Sequence, residues 1–198
     1  MKSRGFTLIE MSVVMAVLAM LLFAAVPSIS TALDNTRIRN ATESMQNGLQ
    51  LARGEAVRRN QNVSFWLVTT NTPSALDNTC TLSNTSGSWV VSVNSPEGHC
   101  ADAASTTESP MIVTGRPTGD GGGNVAVTAL QSDGATAATK VTFNGFGRIT
   151  NADAISQLNI TGTKSDTTYR NLRVSISSAG LVRMCDPRVS NTGDPRKC

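Results

Sequence analysis

The chain has 198 residues, a formal charge of +3, and 39% hydrophobic, 16% charged and only 4% aromatic residues. That length accommodates one folded domain plus an accessory segment, and so few rings exclude an aromatic core: Val, Ile, Leu and Ala must fill it beneath many polar loops. The small total charge hides a division, because residues 164–198 hold seven bases against Asp166, Asp186 and Asp194, whereas 61–163 hold seven acids against Arg116, Lys140 and Arg148.

The chain opens with Lys2 and Arg4, then an apolar stretch from Phe6 to Val26 interrupted by one charge, Glu10. A bilayer core takes about 20 apolar residues in a helix, so this stretch is long enough to span one. The bases before it, with none after it until Arg37, place the N-terminus in the cytoplasm. An ordinary signal peptide has a shorter apolar region and a small-residue cleavage site, and Pro27-Ser28-Ile29-Ser30 makes a poor one. A plain anchor leaves Glu10 unexplained, since a carboxylate among lipid tails is costly and is there to meet a partner charge.

Gly5-Phe6-Thr7-Leu8-Ile9-Glu10 resembles the leader of type IV pilins and type II secretion pseudopilins. The resemblance implies cleavage after Gly5 by a prepilin peptidase, N-methylation at Phe6, and pairing of Glu10 with the terminal amine of a neighbouring subunit. A buried carboxylate paired in this way can also set register between helices. Residues 1–5 are then the leader and 6–27 a transmembrane and polymerisation helix.

Past the membrane, Ile29, Leu33, Ala41, Met45, Leu49, Ala52 and Ala56 recur at helical spacing with a gap at Arg37, which makes 28–60 an amphipathic helix with one face for a soluble domain. The whole reads as one long helix, kinked near Pro27. From Val63 the pattern becomes β, with strands expected at Val63–Val68, Trp89–Val93, Val125–Leu130, Val141–Phe143, Leu172–Ile176 and Leu181–Met184. Turn clusters separate them, among them Gly119–Asn124 and Asn144-Gly145. Trp66 and Trp89 fall on alternating strands as core residues. The architecture expected is α+β: a long N-terminal helix packed on an antiparallel β-sheet domain over 61–198.

Cys80, Cys100, Cys185 and Cys198 form no Cys-x-x-Cys pair, and the lone His99 completes no zinc site. Their even number fits two disulfides in an oxidising compartment. Of the three ways to pair them, Cys80 with Cys100 and Cys185 with Cys198 is the simplest. Nothing points to an enzyme: no nucleophile motif appears, and Gly121-Gly122-Gly123 lacks the Lys-Ser/Thr of a phosphate loop. No cofactor and no metal are expected.

Two further stretches narrow the resemblance. Asn47 to Asn60, with its Leu49-x-x-Ala52-Arg53-x-Glu55-Ala56 core, is similar to the helix end of the GspH/FimT/FimU group, and Val141 to Arg148 and the tail around Cys185 and Cys198 are similar to its sheet segment and C-terminal end. This implies a minor pilin of the FimT/FimU type, a structural subunit that helps start a pilus and sits at or near its tip. It would be anchored in the inner membrane with its C-terminal domain in the periplasm, among other minor and major pilins. The alternative is a GspH-type secretion pseudopilin. A DNA-binding minor pilin is the other, since Arg170, Arg173, Arg183, Arg188, Arg196 and Lys197 gather near the terminal loop and could contact phosphates. In FimT-type proteins a Gly-Arg-x-Arg motif here is associated with DNA; this chain reads Gly180-Leu181-Val182-Arg183, without the first Arg. The bland reading is that these bases are solvated or pair with Asp186 and Asp194.

Overall fold

A computed structural model describes residues 6–119, 125–163 and 169–198, with the side chains of 23–29 left out. Gly5 and the Gly121–Gly123 run therefore lie outside the described residues, as do the side chains of Pro27 and Ile29. One helix, α1 (Leu8–Arg59), is followed by nine strands: β1 (Val63–Thr69), β2 (Thr81–Leu82), β3 (Ser88–Ser92), β4 (Ile112–Arg116), β5 (Val125–Leu130), β6 (Lys140–Phe143), β7 (Gln157–Gly162), β8 (Leu172–Ile176) and β9 (Val182–Cys185).

The helix begins at a capping box. Thr7 accepts from the Glu10 amide while the Glu10 side chain takes the Thr7 amide, so two otherwise orphaned donors are satisfied. It ends at Asn60 in the left-handed conformation (φ 49°), whose amide donates back to Ala56 and Val57. Arg58 and Arg59 in the last turn face the negative end of the helix dipole and both grip Glu55.

The strands form two antiparallel sheets where the sequence suggested one. In the first, β1 is central: β3 flanks it on one side, while β6 and then β2 share the other, and β4 extends beyond β3. The second runs β5-β7-β8-β9. All but the last residue of β1 is buried, on both faces of the sheet, in keeping with its continuous apolar run from Phe65 to Val68. One face, with Phe65 and Leu67, joins Trp89, the helix and the inner residues of the second sheet in a single core. The other face, with Trp66 and Val68, packs under the Cys80–Cys100 disulfide together with Val90 and Ile112.

Both tryptophans are buried, on opposite faces of the first sheet. Trp89 stacks at a tilt on Phe65 (centroids 5.6 Å apart) and donates to Ser44 Oγ at 3.0 Å. Trp66 lies beneath the Lys140 ammonium, 5.2 Å from its ring centre.

Several expectations shift. β2, β4 and β7 were not foreseen: β2 is two residues long and exists only by pairing with β1, and β7 carries just Leu158 and Ile160 inward between polar neighbours. The last strand starts one residue later than expected, which leaves Leu181 in the preceding turn. On the helix, Leu33 is 53% exposed, while Ile38, outside the expected stripe, is fully buried. Among the described residues the first buried helix position is Asp34, so Leu33 just before it has no core to face.

Candidate functional site

Two regions carry the residues singled out in the sequence: the first turns of α1 and the C-terminal loop. Among the described residues, every apolar side chain from Phe6 to Leu22 is exposed. Within them Glu10 Oε2 accepts from the Thr7 amide at 2.8 Å and from Thr7 Oγ1 at 2.7 Å. The carboxylate is thus held in the first turn, at the positive end of the helix dipole. Among the described residues no helix is long and apolar enough to cross a membrane. Leu8–Leu22, the part whose side chains are described, spans about 22 Å at 1.5 Å per residue, short of the ~30 Å of a bilayer core.

The domain is fastened to the helix at both ends of their contact. Near its start, Asp34 accepts from Arg37 Nη1 at 2.8 Å and from the buried Tyr169 hydroxyl at 3.2 Å, and Asn35 Oδ1 takes the Arg170 amide at 2.7 Å. Near its end, Arg53 Nε donates to the Gly147 carbonyl at 3.0 Å. Arg53 and Arg170 stand out in the sequence for other reasons, but these helix–domain contacts do not: their partners stand 94 to 135 positions apart, and no local pattern marks them.

In the tail, Cys185 is bonded to Cys198, and the loop they close returns beside β9 through a parallel bridge between Asp186 and Lys197. The six cations expected there take different partners. Arg170 pairs with Asp186 at 3.3 Å and Arg196 with Asp194 at 2.7 Å. The Arg196 guanidinium, with the Arg196 amide adding to it, holds the Asp194 carboxyl down to about 2. Arg170 and Arg196 also line a cleft of about 410 Å³ with Asn35 and Arg39, floored by Leu172 and Met184. Arg173 instead donates to Asn159 Oδ1 at 2.7 Å, and Arg183 Nη2 to the Lys197 carbonyl at 3.1 Å. The Arg188 amide donates to Asp186 Oδ1, and Lys197 Nζ to the Ser190 carbonyl. Carboxylate pairing thus takes up part of the basic tail and leaves Arg173 and Arg183 on amide and carbonyl oxygens.

His99 lies on the surface with Nδ1 2.9 Å from Asp102. Asp102 is held below the usual carboxylate range, first by Asn78 and then by His99. Among the described residues no group of His, Cys, Asp and Glu is placed to hold a metal ion.

Comparison with known proteins places this arrangement. The family described as type II transport protein GspH matches residues 41–180, more than two thirds of the chain. The prokaryotic N-terminal methylation motif matches residues 1–26. No curated protein matches. Among solved structures, two crystal forms of the type IV minor pilin FimU from Pseudomonas aeruginosa PAO1 are similar at 16% identity. One aligns over 79% of this chain and 94% of its own with a TM-score of 0.47, the other over 78% and 97% with 0.44.

Proposed function

This chain belongs to the GspH family of type II transport proteins, and on that premise we propose that it is a minor pilin of the FimT/FimU type. Pilins and pseudopilins are structural proteins, not enzymes. The precursor is held in the inner membrane by residues 6–27, with its N-terminus in the cytoplasm and the domain over 61–198 in the periplasm. Prepilin peptidase cleaves it after Gly5, and Phe6 becomes the methylated terminus. It joins other minor and major pilins at or near the tip and helps start the filament.

One observation carries this reading: a helix half whose described apolar side chains, from Leu8 to Leu22, all face outward, with a single carboxylate in its first turn. Such a surface is stable only against lipid or other apolar helices, and Glu10 is tolerable there only against a positive partner. Glu10→Leu in the full chain should leave cleavage after Gly5 intact and abolish incorporation into sheared filaments. Filaments that contain the variant at the wild-type level would remove Glu10 from assembly.

A GspH-type pseudopilin of a secretion system is the second reading, favoured by the family match over 41–180. Deleting the chain separates the two, since one predicts loss of surface pili and the other loss of secreted proteins. DNA contact by the tail rests on less, namely Arg173 and Arg183, which lie outside the carboxylate pairs. Duplex DNA should then bind the protein at low salt and release as salt rises, and no binding at low salt ends that reading.

A further inference from the structure

At the end of the domain farthest from the apolar half of α1, two turns and the helix terminus meet. The turn after β6 is locked from several directions. Asn144 Oδ1 takes the amides of Phe146 and Arg148, and the Asn144 amide donates to the Arg148 carbonyl. Gly147 sits at φ 72° with its carbonyl on Arg53. Gly145 lies so close to Asn60 that a Cβ would collide with the Asn60 side chain, and a Cβ on Gly180 would collide with the Gly147 carbonyl. The turn is therefore held rigidly against the helix terminus and the β8–β9 turn.

This clamp presents Phe146 to solvent with 84% of its surface exposed, beside Leu181 at 62% and Val57 at 52%. The described tryptophans and the tyrosine are all buried. A ring on a wobbling loop would lose freedom on binding, whereas one on a clamped turn has little left to lose. Arg53 and Arg148 border the patch, and among the described residues no carboxylate pairs with either.

We infer that the Phe146–Leu181–Val57 patch is the docking surface for another pilin-like subunit, which meets it with an apolar pocket rimmed by carboxylates. The inference rests on the reading of the chain as a filament subunit. The pocket's charge follows from Arg53 and Arg148, whose charges no described carboxylate offsets, and the ring serves as the buried aromatic anchor that such contacts centre on. A lipid surface is the wrong occupant: Val57 lies about 45 Å along the helix from the end of the apolar stretch, out of reach of the bilayer that holds it. A patch at this end, opposite an apolar helix half at the other, is the arrangement of a heterologous head-to-tail contact, which propagates a filament and does not close a dimer.

The test uses the full chain in cells that assemble filaments, with photoreactive p-benzoylphenylalanine in place of Phe146. Irradiation should yield an adduct whose second component is identified by mass spectrometry as another pilin-like subunit, and adding Arg148→Glu should cut its yield roughly tenfold. Phe146→Glu should lower incorporation into filaments by about tenfold or more with an unchanged melting temperature, while Phe146→Leu keeps most of it. An adduct with phospholipid overturns the inference. So does wild-type incorporation of Phe146→Glu with no adduct, and in that case the subunit reading stands. A wild-type chain absent from both filaments and adducts overturns the subunit reading and this surface together.

Discussion

Leu18 and Leu49 belong to one continuous helix, yet Leu18 is 50% exposed and Leu49 is fully buried. The difference is not in the helix but in what lies beside it. From Asp34 to Arg59 the helix rests on two sheets, and Ile38, Met45, Leu49, Ala52 and Ala56 face one core with Phe65, Leu158 and Val174. From Leu8 to Leu22 no described residue covers it. The first half needs an environment supplied from outside, and the second half carries its own. Assembly can therefore use the first half without unfolding the domain.

The largest effect that tests this contrast is Leu49→Ala, which should cost about 2–5 kcal/mol in denaturant unfolding of the domain, while Leu18→Ala leaves that unfolding unchanged. Equal losses at the two sites would mean that both halves fold as one unit. Next comes the tail, which lies beside residues 35–39 where the buried half begins. Replacing Cys185 and Cys198 by Ser should cost roughly 3 kcal/mol, the value expected for a loop of this size, and should raise amide exchange at Arg170 before that at Leu49.

A smaller effect is expected at Gly48. Alanine favours an exposed helix by about 1 kcal/mol over glycine, but here a Cβ would stand 2.8 Å from Phe65 Cε2 and 3.0 Å from Trp89 Cε2. Gly48→Ala should therefore destabilise the domain by about 1–3 kcal/mol, and a stabilised variant would show that the aromatic pair yields. The smallest effect is one of pH. Asp194 is held down to about 2 by Arg196, so its contribution is complete above the ordinary carboxylate range near about pH 4 and disappears as pH falls through that lowered value. Exchange of the Arg196 amide, which donates to Asp194 Oδ1 at 2.9 Å, should quicken across that window while the Leu49 amide stays protected.

The N-terminal pattern was legible because it is local: Gly5 to Glu10 and the apolar run after it are neighbours in the chain, and a capping box needs just Thr7 and Glu10. Strands with strong alternation or a dense apolar run, such as β1, β5 and β8, were legible for the same reason. Leu33 and Ile38 were misplaced because helical spacing says which residues share a face, but not where the domain begins to cover it. β4 was hidden in a polar stretch, since Val113 to Gly115 are only partly buried, Arg116 is exposed, and its place beside β3 rests on pairing. Nothing in the Val141–Arg148 stretch marks Phe146 as exposed, because the turn that presents it is held by Arg53 and Gly180, far away in sequence.

The amino-acid sequence by itself determined a long helix with an apolar half, a carboxylate in its first turn, a β-rich remainder and a basic tail. Each of these follows from periodicity or composition within a short window. The tertiary structure alone decided that the strands split into two sheets, that Cys80 meets Cys100 and Cys185 meets Cys198, and that Asp186 and Asp194 take up part of the tail's charge. It also decided that Phe146 stands out at the far end. Those outcomes depend on contacts between residues such as Arg53 and Gly147, 94 positions apart, and only the closed core brings them together.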